Sequence, residues 1–194
     1  AFGDCPGPVV RRDAARPGDV IAVSGTLGFS YAGLDLLEGG HVVPSARGVE
    51  ELGELEPFVR TYRSPRPPLG SGVAAAAAGA RAMMDLSDGP AADATRMAAA
   101  SGVVIDFDRP SIEEEAWKLQ GPALICRADP VWWVLQGGEE HGMLAAFPPD
   151  VQLPEGFRAI GRARECAAGE TPCAMFDGEV LRGAWDHFSS DSVD

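Results

Sequence analysis

Basic side chains are scarce in this sequence: 16 Lys and Arg stand against 29 Asp and Glu, a formal net charge of −13. A surface that neutralises nucleic-acid phosphates needs a basic stripe, and the absence of one argues against DNA or RNA as partners. Acidity leaves phosphorylated small molecules open, because carboxylates can hold a divalent metal and the metal can hold the phosphate. Long apolar runs are also missing. No stretch approaches the ~20 residues needed to cross a bilayer, so no membrane partner is expected. The start, Ala1-Phe2-Gly3-Asp4, lacks the basic segment and apolar run of a secretory leader. A cytoplasmic setting is expected.

Cysteine chemistry is equally thin. Cys5, Cys126, Cys166 and Cys173 include no CxxC pair, and no His lies at zinc-finger spacing from them. Scattered reduced thiols are expected rather than a disulfide or metal centre. There is no Gly-x-Ser-x-Gly elbow, and the three histidines suggest no nucleophile–base pair. Gly25-Thr26-Leu27-Gly28 has the outline of an anion loop, but it lacks the Lys-Ser/Thr of a Walker loop and fits no dinucleotide fingerprint.

What remains is globular in character. With 45% hydrophobic and 23% charged residues, a chain of 194 residues can form a real core. A domain of this size buries roughly 70% of the surface its unfolded chain exposes. Gly (24) and Pro (16) exceed the usual background, which forecasts many turns.

Asp19–Ser24 reads as a buried strand, followed by a helix capped by Ser30 and stopped at Gly39-Gly40. Helical spacing recurs from Val49 to Tyr62, and Ser64-Pro65-Arg66-Pro67-Pro68 is a stiff connector. The Ala-rich stretch from Gly72 to Ala82 suits a helix packed closely on a sheet. A strand ends at Leu86, Pro90 opens a helix that stops at Ser101-Gly102, and Val103–Phe107 is a strand. Ile112–Leu119 and Pro130–Leu135 read as helices, Met143–Phe147 and Phe157–Ile160 as strands. Asp177-Gly178 turns a final hairpin. Strands and helices mix without a strict βαβ period, so the expected fold is α+β: a mixed sheet with packed helices.

The stretch richest in chemistry is Met84-Asp85-Leu86-Ser87-Asp88-Gly89-Pro90. Asp85 and Asp88 lie three residues apart across a strand-to-helix turn, so both can aim at one hard cation such as Mg²⁺. Ser87 can donate to a phosphate oxygen near the N–H groups that open the helix. The competing possibility is that Asp88 caps that helix and Asp85 ends a strand in solvent. Gly137-Gly138-Glu139-Glu140-His141 is a second acidic turn, where the glycines let backbone approach a ligand and Glu139 can accept a hydrogen bond. It can equally be a helix end followed by exposed acids. Arg11-Arg12 and Arg16 make a local basic spot, and Arg matches phosphate oxygens with its planar fork. Trp185, in Gly183-Ala184-Trp185-Asp186-His187-Phe188, can stack on a flat heterocycle or anchor the chain end.

Taken in order, five segments resemble the C-terminal part of the thiamine-monophosphate kinase family, in its actinobacterial form. They are Arg12–Asp19, Ser24–Gly28, Met84–Gly89, Gly137–His141 and Gly183–Phe188. The resemblance implies the α+β fold of the aminoimidazole-ribonucleotide synthetase superfamily. It also implies ATP-dependent phosphorylation of thiamine monophosphate to thiamine diphosphate. On this resemblance Asp85 and Asp88 match Mg²⁺-binding positions, Arg12 and Ser87 match ATP-contacting positions, and Glu139 and Trp185 match substrate-contacting positions. No enzyme nucleophile is implied, because the substrate's phosphate attacks ATP directly. Residues 1–194 are expected to form a single C-terminal-type domain, with 1–18 as an entry segment and 19–194 as the α+β body. Family members carry a further N-terminal domain and dimerise through it, so a homodimer is expected of the full-length protein and little turnover of this portion alone. Ala14, Pro90, Glu140 and Ala184 depart from the usual Gly, Leu, Asp and Gly. A ligand-binding module without catalysis, or another ATP-using enzyme of the superfamily, are the alternatives.

Overall fold

The computed structural model describes residues 9–43 and 50–182. Seven strands form one sheet: β1 (Val20–Ser24), β2 (Ala82–Leu86), β3 (Val104–Phe107), β4 (Gly142–Phe147), β5 (Phe157–Arg164), β6 (Ala174–Phe176) and β7 (Glu179–Val180). Their order across the sheet is β2-β4-β1-β5-β3-β6-β7. Neighbours run antiparallel except β3 and β6, which are parallel, so the sheet is mixed as expected. The helices are α1 (Phe29–Glu38), α2 (Glu56–Arg63), α3 (Ser71–Ala77), α4 (Pro90–Ser101), α5 (Arg109–Trp117), α6 (Gln120–Cys126) and α7 (Pro130–Gln136).

β1 and β4 are apolar at nearly every position because both faces of the sheet are covered there. Ile21 and Val23 of β1, with Leu144 and Ala146 of β4, point into the main core beneath the helices. Ala22, Ala145 and Phe147 alternate to the other face, where Ala75 of α3 and Phe157 cover them. No helix among the described residues is long and apolar enough to cross a membrane.

Several expectations change in detail. α1 begins at Phe29 with Gly28 as its N-cap, and Ser30 lies buried inside the helix rather than capping it. The helix expected from Val49 is a 3₁₀ segment over Glu50–Leu55 that leads into α2, because Gly53 adopts a non-helical φ of 58°. α3 stops at Ala77, and Gly79 then turns the chain with φ 87° despite the favourable alanine run. α6 was not anticipated: Leu124 and Ile125 are exposed, so the segment shows no apolar stripe. α5 starts earlier than Ile112 because Asp108 accepts the Ser111 N–H at 3.1 Å. Cys126, Cys166 and Cys173 are free thiols, and Cys5 lies outside the described residues.

Candidate functional site

The pairings Leu86↔Gly142 and Ser24↔Met143 bring the ends of β2, β4 and β1 to one edge of the sheet. Here the turn Ser87-Asp88-Gly89, leading into α4, meets the turn Gly137–His141 between α7 and β4. The Glu139 N–H donates to the Ser87 carbonyl at 2.9 Å, and the His141 N–H donates to the Leu86 carbonyl at 3.1 Å. The approach is backbone to backbone. A Cβ on Gly138 would overlap the Ser87 carbonyl oxygen, and a Cβ on Gly89 would stand 2.7 Å from the Gly137 carbonyl oxygen. Two acidic motifs distant in sequence thus form one cluster.

The side chains are less concentrated than the backbone. Asp88 is ion-paired with Arg96 of α4. Its N–H donates to Asp93 Oδ2 at 2.9 Å, and Arg96 Nη1 lies 2.5 Å from Asp93 Oδ1. Asp93 is wholly buried, and burial pushes its carboxyl above the usual range against the pull of the Asp88 N–H and Arg96. α4 has no side-chain N-cap, so Asp88 does not play the capping role open to it in the sequence. Asp85 is exposed and registers with Met143, which belongs with Met83 to the α3 side of the sheet. Asp88 turns instead toward α4, so the two carboxylates leave the strand end in different directions and share no partner among the described residues.

Glu139 has a side chain 74% exposed, 3.7 Å from His141 Nε2. The Arg12 backbone is anchored elsewhere, and its side chain is exposed. The Ser101 hydroxyl donates to its carbonyl at 3.0 Å, and Ser101 closes α4 at the end far from Ser87. At 1.5 Å per residue that helix separates the two by about 16 Å. The arginine-rich entry is mostly structural. Arg11 pairs with Asp13, and buried Asp19 accepts the Arg16 N–H at 2.8 Å and pairs with Arg81. Trp185 lies outside the described residues.

Three residues of the cluster were not singled out from sequence for what they do: Asp93, Arg96 and Glu140. Glu140 is buried, and its Oε1 accepts the Ser30 N–H at 2.8 Å. The N–H groups of Gly28 and Phe29 also face its carboxylate. It therefore occupies the N-terminus of α1, where Gly28 at φ 78° has no side chain to offer. Burial pushes the Glu140 carboxyl up to about 7, opposed by those N–H groups and by Arg158. The signal was a glycine in the N-cap position, which leaves the first-turn donors needing a distant acceptor.

A cavity of about 250 Å³ adjoins Glu140, lined also by Thr26, Arg60, Ser64 and Arg66. A larger one, about 630 Å³, lies against β3 and the start of α5, lined by Asp106, Asp108, Arg109, Arg162 and Asp177. Among the described residues, none of those selected from sequence to bind metal, nucleotide or substrate lines it. Among the described residues no three His, Cys, Asp or Glu side chains gather as a metal cage. As placed here Asp85 and Asp88 do not converge on one cation; to share a Mg²⁺ that keeps water and phosphate as its other ligands, Asp88 would have to leave Arg96 and turn back toward Asp85.

Residues 16–170 match the family model of the AIR synthase related protein, C-terminal domain. The thiamine-monophosphate kinase of Mycobacterium tuberculosis strain H37Rv is 40% identical over 191 residues, covering 97% of this chain and 52% of the relative. That of Corynebacterium glutamicum is 40% identical over 155 residues, 80% of this chain and 44% of the relative. The chain spans about half the length of the curated relatives it matches. Among solved structures, thiamine monophosphate kinase from Aquifex aeolicus superposes with a TM-score of 0.71 at 28% identity, covering 89% of this chain and 54% of that one. AaThiL complexed with AMPPCP and TMP gives 0.67 at 28% identity, covering 92% and 54%.

Proposed function

The chain belongs to the AIR synthase related protein family, as its C-terminal domain, and from that premise we propose that it forms the C-terminal part of a thiamine-monophosphate kinase. The reaction is ATP-dependent phosphorylation of thiamine monophosphate to thiamine diphosphate. An oxygen of the substrate's phosphate attacks the γ-phosphorus of ATP, the bond to the β–γ bridging oxygen breaks, and ADP leaves. Such transfer needs positioning and neutralisation of charge more than covalent help from protein.

The observation that carries the reading is the backbone contact between the Ser87–Gly89 and Gly137–His141 turns at one sheet edge. It sets Ser87, Asp88 and Glu139 beside one another in a chain whose relatives are named for this kinase and whose structural neighbour holds AMPPCP and TMP. In this reading Ser87 donates to a nucleotide phosphate, Arg12 contributes a guanidinium to ATP, and Glu139 with Trp185 meets the substrate. Asp85 and Asp88 would hold Mg²⁺, which screens the repulsion between the two anions. Residues 1–194 act as one C-terminal-type domain, joined in the whole protein by a second domain and a second copy, in the cytoplasm.

Calorimetric titration of the chain with thiamine monophosphate, AMPPCP and Mg²⁺ tests this. Mg²⁺-dependent binding, weakened at least tenfold by Asp85→Asn and by Asp88→Asn, is expected, because each change removes a charged ligand. Binding that ignores both substitutions refutes the metal assignment. The Asp88–Arg96 pair favours a second reading, a ligand-binding module without phosphoryl transfer. It would show as binding that needs no Mg²⁺.

A further inference from the structure

We infer that Glu140 is a positioning residue: its carboxylate ties the Gly137–His141 turn to the start of α1 and so holds Glu139 against the Ser87–Gly89 turn. This deepens the reading above and rests on it wherever Glu139 is said to meet substrate.

The turn is unusual in its backbone. Glu139 and His141 both adopt left-handed φ, 68° and 53°. Non-glycine residues persist there only when their surroundings over-determine them. Two hydrogen bonds fix one side, from the Glu139 and His141 N–H groups to Ser87 and Leu86. The other side hangs on Glu140, the buried residue between two more exposed ones. The requirement is mutual. α1 begins after a glycine and has no side-chain cap of its own, so its first N–H groups need an acceptor. Glu140 supplies that acceptor from the turn before the neighbouring strand β4.

The loop that leads into α1 is braced from the opposite direction. Arg158 Nη1 donates to the Gly25 carbonyl at 2.7 Å, while its Nε and Nη2 hold buried Glu115 at 2.5 and 2.7 Å. The Gly25–Gly28 loop therefore sits between an arginine strut from β5 and a carboxylate strut from the Gly137–His141 turn. Removing the carboxylate frees the start of α1 and the turn together, and Glu139 loses its placement although nothing about Glu139 has changed.

Amide hydrogen exchange on the 194-residue chain reads this without any ligand. In Glu140→Ala, which removes the acceptor, the amides of Phe29 and Ser30 and those of Glu139 and His141 should all lose protection by about tenfold, the scale of a lost helix cap. Val23 and Leu144, in the central strands, should stay as in wild type. Faster exchange at 29 and 30 with 139 and 141 unchanged overturns the inference, leaving Glu140 as a helix cap alone. Should Glu140→Ala fail to fold, Glu140→Asp, which keeps the charge on a shorter arm, should show the same paired loss to a smaller degree. Binding supplies the second readout. Glu139→Gln and Glu140→Ala should each weaken thiamine monophosphate in the presence of AMPPCP and Mg²⁺. The double variant should be no weaker than Glu139→Gln alone, because both changes act through one contact. Additive losses overturn the inference. A wild-type chain that binds no thiamine monophosphate defeats the proposed function but leaves the exchange experiment to decide on Glu140.

Discussion

The turn cluster at the Ser87 edge and the corner where β3, α5 and β6 meet are held by different forces. At the cluster, backbone packs on backbone through Gly89 and Gly138, and the buried side chain is a carboxylate facing N–H groups. At the corner, exposed charges do the holding. Arg109 pairs with Asp177, lies 3.0 Å from Glu113, and stacks 5.3 Å over Phe176. Arg164 lies 2.6 Å from Glu170 and draws that carboxyl down to about 2. Contacts of the first kind have no room to adjust, whereas those of the second are exchanged for water at little cost. A site that must place groups to fractions of an ångström is better built from the first.

Substitutions can break this contrast. The largest effect is expected from Gly138→Ala, whose methyl has nowhere to go beside Ser87. It should cost about 3 kcal/mol, roughly 6–12 °C in Tm for a chain of this length. It should also abolish thiamine monophosphate binding in calorimetry. A small Tm shift with intact binding would show that the turn can move. Next comes Glu115→Gln, which leaves a half-buried Arg158 without its carboxylate. Urea unfolding should register about 2 kcal/mol, short of the loss seen when a fully buried charge is stranded.

The two carboxylates at these regions should also answer pH in opposite ways. Glu140 has a folded pKa of about 7, above its ordinary value of 4.5. The folded state therefore binds the extra proton between those values. Its contribution to stability is greatest below about 4.5, declines as pH rises to about 7, and is flat beyond. Glu170 runs the other way: its stabilisation is present above 4.5 and lost as pH falls toward 2. Thermal melts of Glu140→Gln and Glu170→Gln against wild type separate the two. The first variant should flatten the slope between pH 4.5 and 7, and the second the slope below 4.5. The smallest effect belongs to Arg109→Ala. Three contacts notwithstanding, its loss should stay under ~1 kcal/mol in the same melts, because the side chain is half exposed.

Much of the fold was legible because the signals were local. Pro90 and Gly102 bracket α4 as expected, and Asp177-Gly178 turns β6 into β7 with φ of 54° and 79°. α6 was not legible, since a short helix with Leu124 turned to solvent has no periodic face. Within the candidate site, the motif residues Ser87, Asp88 and Glu139 could be chosen from sequence, but their partners could not. Asp93 and Arg96 read as ordinary members of a helix until the turn before it folds back on them.

Sequence alone determined the class of the molecule: an acidic α+β domain whose glycine-flanked turns carry the acids, since turns and periodic cores are written in neighbouring residues. Tertiary structure decided which acid does what. Glu139 and Glu140 are adjacent and chemically alike, yet one is exposed and the other lies buried at the start of α1. That choice depends on the left-handed backbone between them and on an uncapped helix more than a hundred residues earlier in the chain, which sequence spacing does not encode.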